Sequence, residues 1–170
     1  MKIEPYLYST LLNLLKKKNI DEIRVTEIIG EIGICKGTFY KYCQDKYDLL
    51  CKCFDKYYYN EIINNAETLQ DYFAKAIDMF AEIPRDVVLN AFTSNDVNTL
   101  KKHNVNIIKD IIRRQYVSNV SNGSIVSQVV CQQFATSVTD ALLYWVENEY
   151  PISRETLLEA FNLLMPKLFA

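Results

Sequence analysis

Glycine and proline are scarce in this sequence, and their scarcity restricts the fold. The 170 residues include 4 Gly and 4 Pro, too few for the many tight turns of a β-sandwich or β-barrel. The glycines do not form a Gly-rich loop of the kind that cradles phosphates. The chain is 49% hydrophobic and 24% charged, which is typical of a globular protein. We therefore expect helices joined by short loops.

Long apolar runs and a cleavable leader are also lacking. No stretch approaches the roughly 18 apolar residues that a membrane span needs. The N-terminus, MKIEPYLYST, has neither the apolar core nor the small-residue cleavage site of a signal peptide. We therefore expect a cytoplasmic protein with no membrane association, whose 5 cysteines are thiols.

Patterns for metal binding and catalysis are missing as well. The single histidine, His103, lies far along the chain, and no Cys-x-x-Cys pair exists, which argues against a zinc site. Cys51 and Cys53 would point to different sides of a helix. No nucleophile elbow or cofactor fingerprint is found. We therefore predict no enzyme activity, no cofactor, no catalytic residues and no metal ligands.

The net charge of -2 conceals an asymmetry. Residues 1–60 hold 10 Lys and Arg against 8 Asp and Glu, a net charge of +2, whereas residues 61–170 hold 9 against 13, a net charge of -4. A basic surplus near the N-terminus fits a phosphate-binding segment there.

Apolar residues recur at helical spacing along most of the chain, which predicts an all-α fold. Four helices are expected within the first 62 residues, the fourth capped at its start by Asp45 with Asp48 three residues on. Ser153 is expected to cap the last helix. Further helices are predicted near 68–82, 84–93, 95–117, 124–148 and 153–168.

The most informative stretch is residues 24–50, RVTEIIGEIGICKGTFYKYCQDKYDLL. Two short apolar stripes flank Gly33, and a small residue easily adopts the left-handed backbone that such a sharp turn often needs. The second stripe has polar or basic residues on its other faces, as a helix entering the DNA major groove requires. Residues 25–46 therefore predict a helix-turn-helix. The alternative is a helical hairpin that serves only in packing.

The side chains of the second short helix suit DNA. Lys36, Thr38 and Lys41 can donate hydrogen bonds, and Tyr42 can reach a phosphate. The ring of Tyr40 can pack on a thymine methyl group. The alternatives are that both lysines are merely solvated surface charges and that Tyr40 is buried in the core.

This stretch resembles the DNA-binding domain of the tetracycline-repressor (TetR) family. Its most specific part is Gly-Thr-Phe-Tyr followed by a Lys six residues beyond the Tyr. The motif covers roughly the first third of the chain, and the rest is similar only in length and helical layout. The matching residues are Val25, Ile28, Gly33, Ile34, Cys35, Lys36, Gly37, Thr38, Phe39, Tyr40, Tyr42, Lys46, Leu49 and Leu50.

The resemblance implies roles for individual residues. Lys36, Gly37 and Tyr40 would approach the bases. Thr38, Tyr42 and Lys46 would hold phosphates, Lys46 from the start of the fourth helix, whose N-terminal dipole also favours an anion. The whole predicted DNA-binding set is Arg24, Lys36, Gly37, Thr38, Tyr40, Lys41, Tyr42 and Lys46.

The chain departs from the family pattern at four positions. Arg24 replaces a capping Thr, Cys35 replaces a Ser or Thr that often touches phosphate, Cys43 replaces an aromatic residue and Tyr47 replaces an acidic one. Because Cys35 lies at a helix N-terminus beside Lys36, its thiol pKa should be low. Redox activity of Cys35 and a plain substitution for Ser are both compatible with this.

The resemblance also implies the domain organisation and the function. Residues 1–46 would form the DNA-binding domain, and residues 47–170 a regulatory and dimerisation domain that pairs through the helices near 124–148 and 153–168. The expected protein is a homodimeric repressor that binds double-stranded DNA at a palindromic operator and is released by a small-molecule effector. One alternative is a DNA-binding adaptor or co-activator that responds to a protein partner and binds no ligand; a more remote one is an enzyme fused to a degenerate DNA-binding module.

Aromatic residues of the second domain are candidates for an effector pocket, although core packing is the alternative for each of them. The predicted pocket residues are Tyr57, Phe73, Phe80, Phe92 and Trp145.

Overall fold

The computed structural model describes residues 2–97, 99–116 and 125–165. All of its regular elements are helical, so the all-α prediction is confirmed. Within this described part, no helix combines the length and the apolar character that crossing a membrane would require. The elements are α1 Glu4–Leu15, α2 Val25–Ile32, α3 Lys36–Tyr42, α4 Lys46–Phe54, a π-helical segment Asp55–Tyr59, α5 Asn60–Asn65, α6 Leu69–Glu82, α7 Arg85–Phe92, α8 Leu100–Tyr116, α9 Ile125–Glu147 and α10 Arg154–Leu164.

Two helices begin at the caps predicted from the sequence. The carboxylate of Asp45 accepts hydrogen bonds from the backbone N–H groups of Tyr47 and Asp48, both at 2.8 Å. The Asp48 carboxylate reaches back to the N–H of Gln44 at 2.8 Å. Ser153 Oγ accepts from the N–H of Thr156 at 3.2 Å. Each cap satisfies donors that a helix N-terminus leaves unpaired.

Other boundaries differ from the prediction. The helix predicted to begin near 95 begins at Leu100, and in the segment before it Ser94 and Asn95 donate hydrogen bonds to the Asp21 carboxylate. The π-helical segment interrupts the long fourth helix that was predicted to be continuous. The last helix ends at Leu164 instead of near 168. The predicted helix ends near 117 and 168 and the predicted helix start near 124 lie outside the described residues.

The chain forms two compact units. The head unit combines Met1–Asn60 with Ile83–Lys102, and the body unit combines Glu61–Glu82 with His103–Ala170. The predicted functional boundary after residue 46 remains a prediction. The compact head unit extends past that position because α4 and α7 both contact α1.

Helix α1 forms the centre of the head unit. Leu7, Leu11 and Leu15 are fully buried where α1 contacts α2, α4 and α7. Phe54 of α4 meets Phe92 of α7 edge to face, with ring centroids 5.8 Å apart. The apolar stripe predicted for the first helix therefore supplies the surface on which the other helices of this unit pack.

An aromatic cluster forms the core of the body unit. The ring of Phe73 on α6 lies 5.9 Å from Phe134 on α9 and 5.4 Å from Phe161 on α10. Beside this apolar core, the buried Asn104 donates its side-chain N–H to Thr139 Oγ1 at 3.0 Å. That hydrogen bond fixes α8 against α9 at one register, since an unpaired buried amide would be costly.

The stripe of apolar side chains that recurs along α9 divides into a buried and an exposed part. Phe134, Val138, Leu142 and Trp145 are buried within the body unit, whereas Val126 is 63% exposed. Most of the stripe is therefore already used by the core of a single chain.

Candidate DNA-binding interface

The turn between α2 and α3 depends on Gly33. Its φ of 75° and ψ of 33° are left-handed, a conformation that glycine adopts without the steric strain of a Cβ. The N–H groups of Gly33 and Ile34 both donate to the carbonyl of Ile29, at 2.9 and 3.1 Å. The sharp turn predicted at this glycine is therefore present, and it sets the direction of α3.

Helix α3 is held by one apolar side and by its C-terminus. Phe39 is fully buried and Cys43 nearly so. Lys52 of α4 donates to the carbonyl of Tyr42 at 2.7 Å and pairs with Asp48 at 2.9 Å. This ammonium caps the negative end of the α3 dipole, and the Asp48 carboxylate raises the pKa of Lys52. Sequence reasoning missed this role of Lys52.

The opposite side of α3 is exposed. Lys36, Gly37 and Lys41 are open to solvent, and Tyr40 is 55% exposed. The Tyr40 ring stands edge-on to Phe39, with centroids 5.2 Å apart and planes at 89°. Tyr40 is therefore outside the core, and a buried neighbour orients its ring. An exposed aromatic ring between two lysines is the arrangement that a groove-facing helix presents.

Gly37 adds access to this exposed side. A Cβ placed on Gly37 would meet only Cys35 Sγ, at 4.0 Å, so packing within the chain does not require glycine here. Without a side chain, the exposed backbone at Gly37 is open to approach from outside, and its predicted approach to the bases remains a prediction.

Cys35 is the residue that precedes α3. Its Sγ lies 3.2 Å from Thr38 Oγ1, and the thiol is exposed. The Thr38 hydroxyl, helped by the N–H groups of Thr38 and Gly37, lowers the pKa of Cys35. The predicted low pKa agrees with this geometry. Redox activity of Cys35 remains a hypothesis.

Arg24 occupies the cap position of α2 without capping it through its side chain. The Glu27 carboxylate accepts from the Arg24 N–H at 2.8 Å, which is the bond that the third helical residue makes in a capping box. The same carboxylate pairs with Lys18, which lowers the pKa of Glu27. The guanidinium of Arg24 is thereby left at the exposed start of the helix, where its predicted phosphate contact remains a prediction.

Lys46 has a structural role that the sequence did not reveal. Its ammonium donates to the carbonyl oxygens of Asp21 and Ile23, at 2.8 and 2.9 Å. It also lies 5.1 Å from the centroid of the Tyr47 ring. Two of its three N–H donors are thus directed at the loop that precedes α2. Its predicted contact with phosphate remains a prediction, as do those of the half-buried Thr38 and Tyr42.

The five predicted effector residues are divided between the two units. Tyr57, which is 43% exposed, and the buried Phe92 belong to the head unit. Phe73, Phe80 and Trp145 are buried in the body unit. Their common role as an effector pocket remains a prediction.

Trp145 borders an apolar pocket in the body unit with a volume of about 510 Å³. The indole N–H donates to the carbonyl of Ile152 at 2.8 Å. The ring of Tyr150 packs edge-on against the indole, with ring centroids 4.8 Å apart. These contacts fold the segment after α9 back over the helix. The lining residues are Asp140, Ala141, Tyr144, Trp145, Pro151, Ile152 and Leu157.

Comparison with known proteins gives matches at the level of structure. No family model matches the chain, and no curated protein matches it by sequence. The transcriptional regulator FadR from Bacillus subtilis, solved in complex with stearoyl-CoA, is similar with a TM-score of 0.59 and 17% identity, over 98% of this chain and 97% of that one. The fatty acid degradation regulator FadR from Bacillus halodurans is similar with a TM-score of 0.57 and 16% identity, over 94% and 96%.

The chain has the fold of these regulators. The likeness extends over nearly the whole of each chain, so it includes the body unit, for which the sequence motif had given no match. At this level of identity it establishes the fold, and the function has to be argued from the residues themselves.

Proposed function

We propose that this protein is a DNA-binding transcriptional regulator that acts as a homodimeric repressor and leaves a palindromic operator when a small-molecule effector binds. The exposed side of α3 carries this proposal. Lys36, Tyr40 and Lys41 project from a short helix that is anchored by the buried Phe39 and directed by the left-handed Gly33. In the described part of the chain all three side chains are exposed, and the ring of Tyr40 touches Phe39 by an edge-to-face contact.

In the proposed complex α3 is the recognition helix and lies in the major groove. Lys36 and Tyr40 contact base edges, with Gly37 allowing the backbone to come close. The phosphate contacts are made by Arg24, Thr38, Lys41, Tyr42 and Lys46, which position the helix without reading sequence.

Dimerisation is proposed through α9 and α10. Their outer faces carry apolar side chains, of which Leu163 is 87% exposed and Val129 54% exposed. Exposed apolar side chains of this size are what an interface between two chains would bury. A two-fold dimer would space its recognition helices about 34–36 Å apart, or a multiple of that, to meet successive major grooves.

For the effector we propose a long-chain acyl-CoA. The similar regulator from Bacillus subtilis was solved in complex with stearoyl-CoA, and the body unit of this chain has an aromatic core and the apolar pocket beside Trp145. The volume of that pocket, about 510 Å³, falls in the usual range for ligand sites. The alternative, an adaptor or co-activator that answers to a protein partner, needs no such ligand.

The DNA proposal is tested with a duplex enriched from a random-sequence pool by the wild-type protein. Fluorescence anisotropy then compares this duplex with a scrambled one. Tyr40→Ala and Lys36→Ala should each lose about 1–3 kcal/mol of discrimination, the value of a specific base contact. Lys56→Ala is the matched control, because Lys56 is an exposed cation of the same unit outside α3. Unchanged discrimination in both α3 variants would contradict the proposal.

The effector proposal is tested by calorimetric titration with stearoyl-CoA and with free CoA, in the presence and absence of the enriched duplex. Coupling is reciprocal, so a true effector must bind more weakly to the DNA complex by the factor with which it weakens DNA binding. Equal affinities in both titrations would show that stearoyl-CoA is not the effector. If a broad screen of small molecules also found no ligand, the partner-responsive alternative would be favoured.

The dimer proposal is tested by sedimentation equilibrium. Leu163→Glu should shift the protein towards monomer, since it would place an unpaired charge in the proposed dimer interface. Val97→Glu introduces the same charge at a residue that is 75% exposed in the head unit and should leave the association unchanged. A wild-type protein that stays monomeric at micromolar concentration would contradict the proposal.

A further inference from the structure

Asp21, in the loop between α1 and α2, accepts three hydrogen bonds from outside the helix-turn-helix. Its Oδ1 accepts from the hydroxyl groups of Tyr47 at 2.9 Å and Ser94 at 2.5 Å. Its Oδ2 accepts from the backbone N–H of Asn95 at 3.0 Å. We call these four residues the Asp21 cluster. The N–H of Asn95 and the hydroxyl of Ser94 are the main reasons why the pKa of Asp21 is lowered.

Further hydrogen bonds join the same two segments of the chain. Asn19 donates its side-chain N–H to the carbonyl of Thr93 at 2.6 Å. The backbone N–H of Ile20 donates to the carbonyl of Asn90 at 3.0 Å, and the Asn90 side chain donates to the carbonyl of Leu15 at 2.8 Å. The α1–α2 loop is therefore tied to the end of α7 along its length, within the head unit.

These bonds hold the loop that leads into α2. Asp21 and Ile23 also receive the Lys46 ammonium on their carbonyl oxygens, and α2 begins two residues after Ile23. Hydrogen bonds are directional, so the cluster fixes the angle of this loop more narrowly than apolar contacts would. A shift at the start of α2 would move Gly33 and with it the exposed side of α3.

We propose that Asp21 is a positioning residue for operator recognition, and that Ser94 and Asn95 belong to the DNA-binding machinery because they hold it. The inference rests on the proposed DNA-binding function. It assigns a role in that function to a segment more than 40 residues beyond the helix-turn-helix.

Because Asp21 is negatively charged, its substitution distinguishes a positioning role from a purely electrostatic effect on DNA binding. Removing a negative charge from a DNA-binding surface strengthens binding to every sequence, because the phosphates are less repelled. A positioning role predicts the opposite for the operator. Asp21→Asn would keep one acceptor oxygen but replace the other with an amide N–H donor, so at least one of the three donors would lose its partner.

The experiment compares Asp21→Asn with Glu31→Gln, a control that removes one negative charge from an exposed position on α2. Anisotropy is measured on the enriched duplex and on its scrambled counterpart. We expect Glu31→Gln to tighten both complexes slightly. Asp21→Asn should weaken the enriched duplex about tenfold, within the usual range of coupling between sites, while the scrambled duplex is held as tightly as by wild type or more so.

Two neutral variants keep the test independent of charge. Tyr47→Phe and Ser94→Ala each remove one hydroxyl donor to Asp21, and each should weaken the enriched duplex a few-fold. Thermal unfolding followed by circular dichroism establishes that every variant is folded at the assay temperature. Should Asp21→Asn fail to fold, the two neutral variants decide the question.

Two results would overturn the inference. One is tightening of the enriched duplex by Asp21→Asn to the same extent as by Glu31→Gln. The other is wild-type affinity in both neutral variants. If the wild-type protein enriched no duplex at all, the proposed function would fail first and this inference with it, so the two failures are distinguishable.

Discussion

The head unit and the body unit each have an apolar core, and they differ in the polar contacts that add to it. In the head unit, polar side chains connect segments far apart in sequence, as Asp21 does with Ser94 and Lys46 does with the carbonyl of Asp21. In the body unit, an aromatic cluster around Phe73 joins three helices, and Asn104 with Thr139 forms a buried polar pair. Another polar contact of the body unit, between Asp78 and Arg154, joins α6 to α10.

The difference fits the tasks proposed for the two units. Hydrogen bonds to carboxylates and carbonyls restrict the orientation of the groups they join. A recognition helix must keep its position to within a fraction of an ångström. Apolar contacts are non-directional, so an aromatic core can repack around a ligand at modest cost. The comparison predicts that polar substitutions should affect the head unit most, and that apolar substitutions should be costly in both units.

The largest expected effect comes from the two aromatic anchors. Phe39→Ala and Phe73→Ala should each lower the free energy of unfolding by about 3–5 kcal/mol, because each leaves a cavity in a buried core. Trp145, the single tryptophan, lies in the body unit, so its fluorescence reports on that unit in urea titrations while circular dichroism reports on all helices. Phe73→Ala should shift the fluorescence midpoint more than Phe39→Ala does. Equal shifts would show that the units unfold as one, and would break the comparison.

Lys46→Ala should be the costliest polar change in the head unit. The loss of two charge-assisted hydrogen bonds to carbonyl oxygens should lower the free energy of unfolding by about 3 kcal/mol. If Lys46 also contacts phosphate as proposed, the slope of log affinity against log salt should become shallower by about 1. Lys56→Ala should change stability by less than about 0.5 kcal/mol. A Lys46→Ala protein as stable as Lys56→Ala would contradict the role of the two carbonyls.

Thr139→Val probes the buried polar pair of the body unit. Valine has the shape of threonine but cannot accept the Asn104 N–H, so the free energy of unfolding should fall by about 1–2 kcal/mol. Adding Asn104→Leu removes the orphaned amide and should recover most of that loss. Urea unfolding of the two single variants and the double variant forms a cycle. Additive losses would mean that the pair is not coupled.

The smallest expected effect is a change in thiol reactivity. Iodoacetamide at about pH 7 should alkylate Cys35 first, because its lowered pKa increases the thiolate fraction. Burial raises the pKa of Cys43 to about 11 and that of Cys53 to about 12, so both should react only after unfolding. Thr38→Val removes the hydroxyl that lowers the Cys35 pKa and should slow its alkylation a few-fold. Peptide mapping by mass spectrometry over a pH series measures this; an unchanged rate would show that Thr38 has no such effect.

Local sequence was enough to predict the two helix caps and the turn of the helix-turn-helix. Asp45, Ser153 and Gly33 act on backbone groups within five residues of themselves, so their positions in the sequence imply their contacts. The exposed face of α3 could be predicted for the same reason, since helical spacing alone separates Phe39 from Tyr40. The five effector candidates were chosen by residue type, and residue type alone does not tell which unit a side chain packs in.

The sequence by itself determined the all-α fold, the helix-turn-helix and the face that α3 exposes, because spacing and capping act through neighbouring residues. Only the tertiary structure decided what Lys46 and Asp21 do. Their partners lie up to 74 residues away, and no local pattern encodes such a distance.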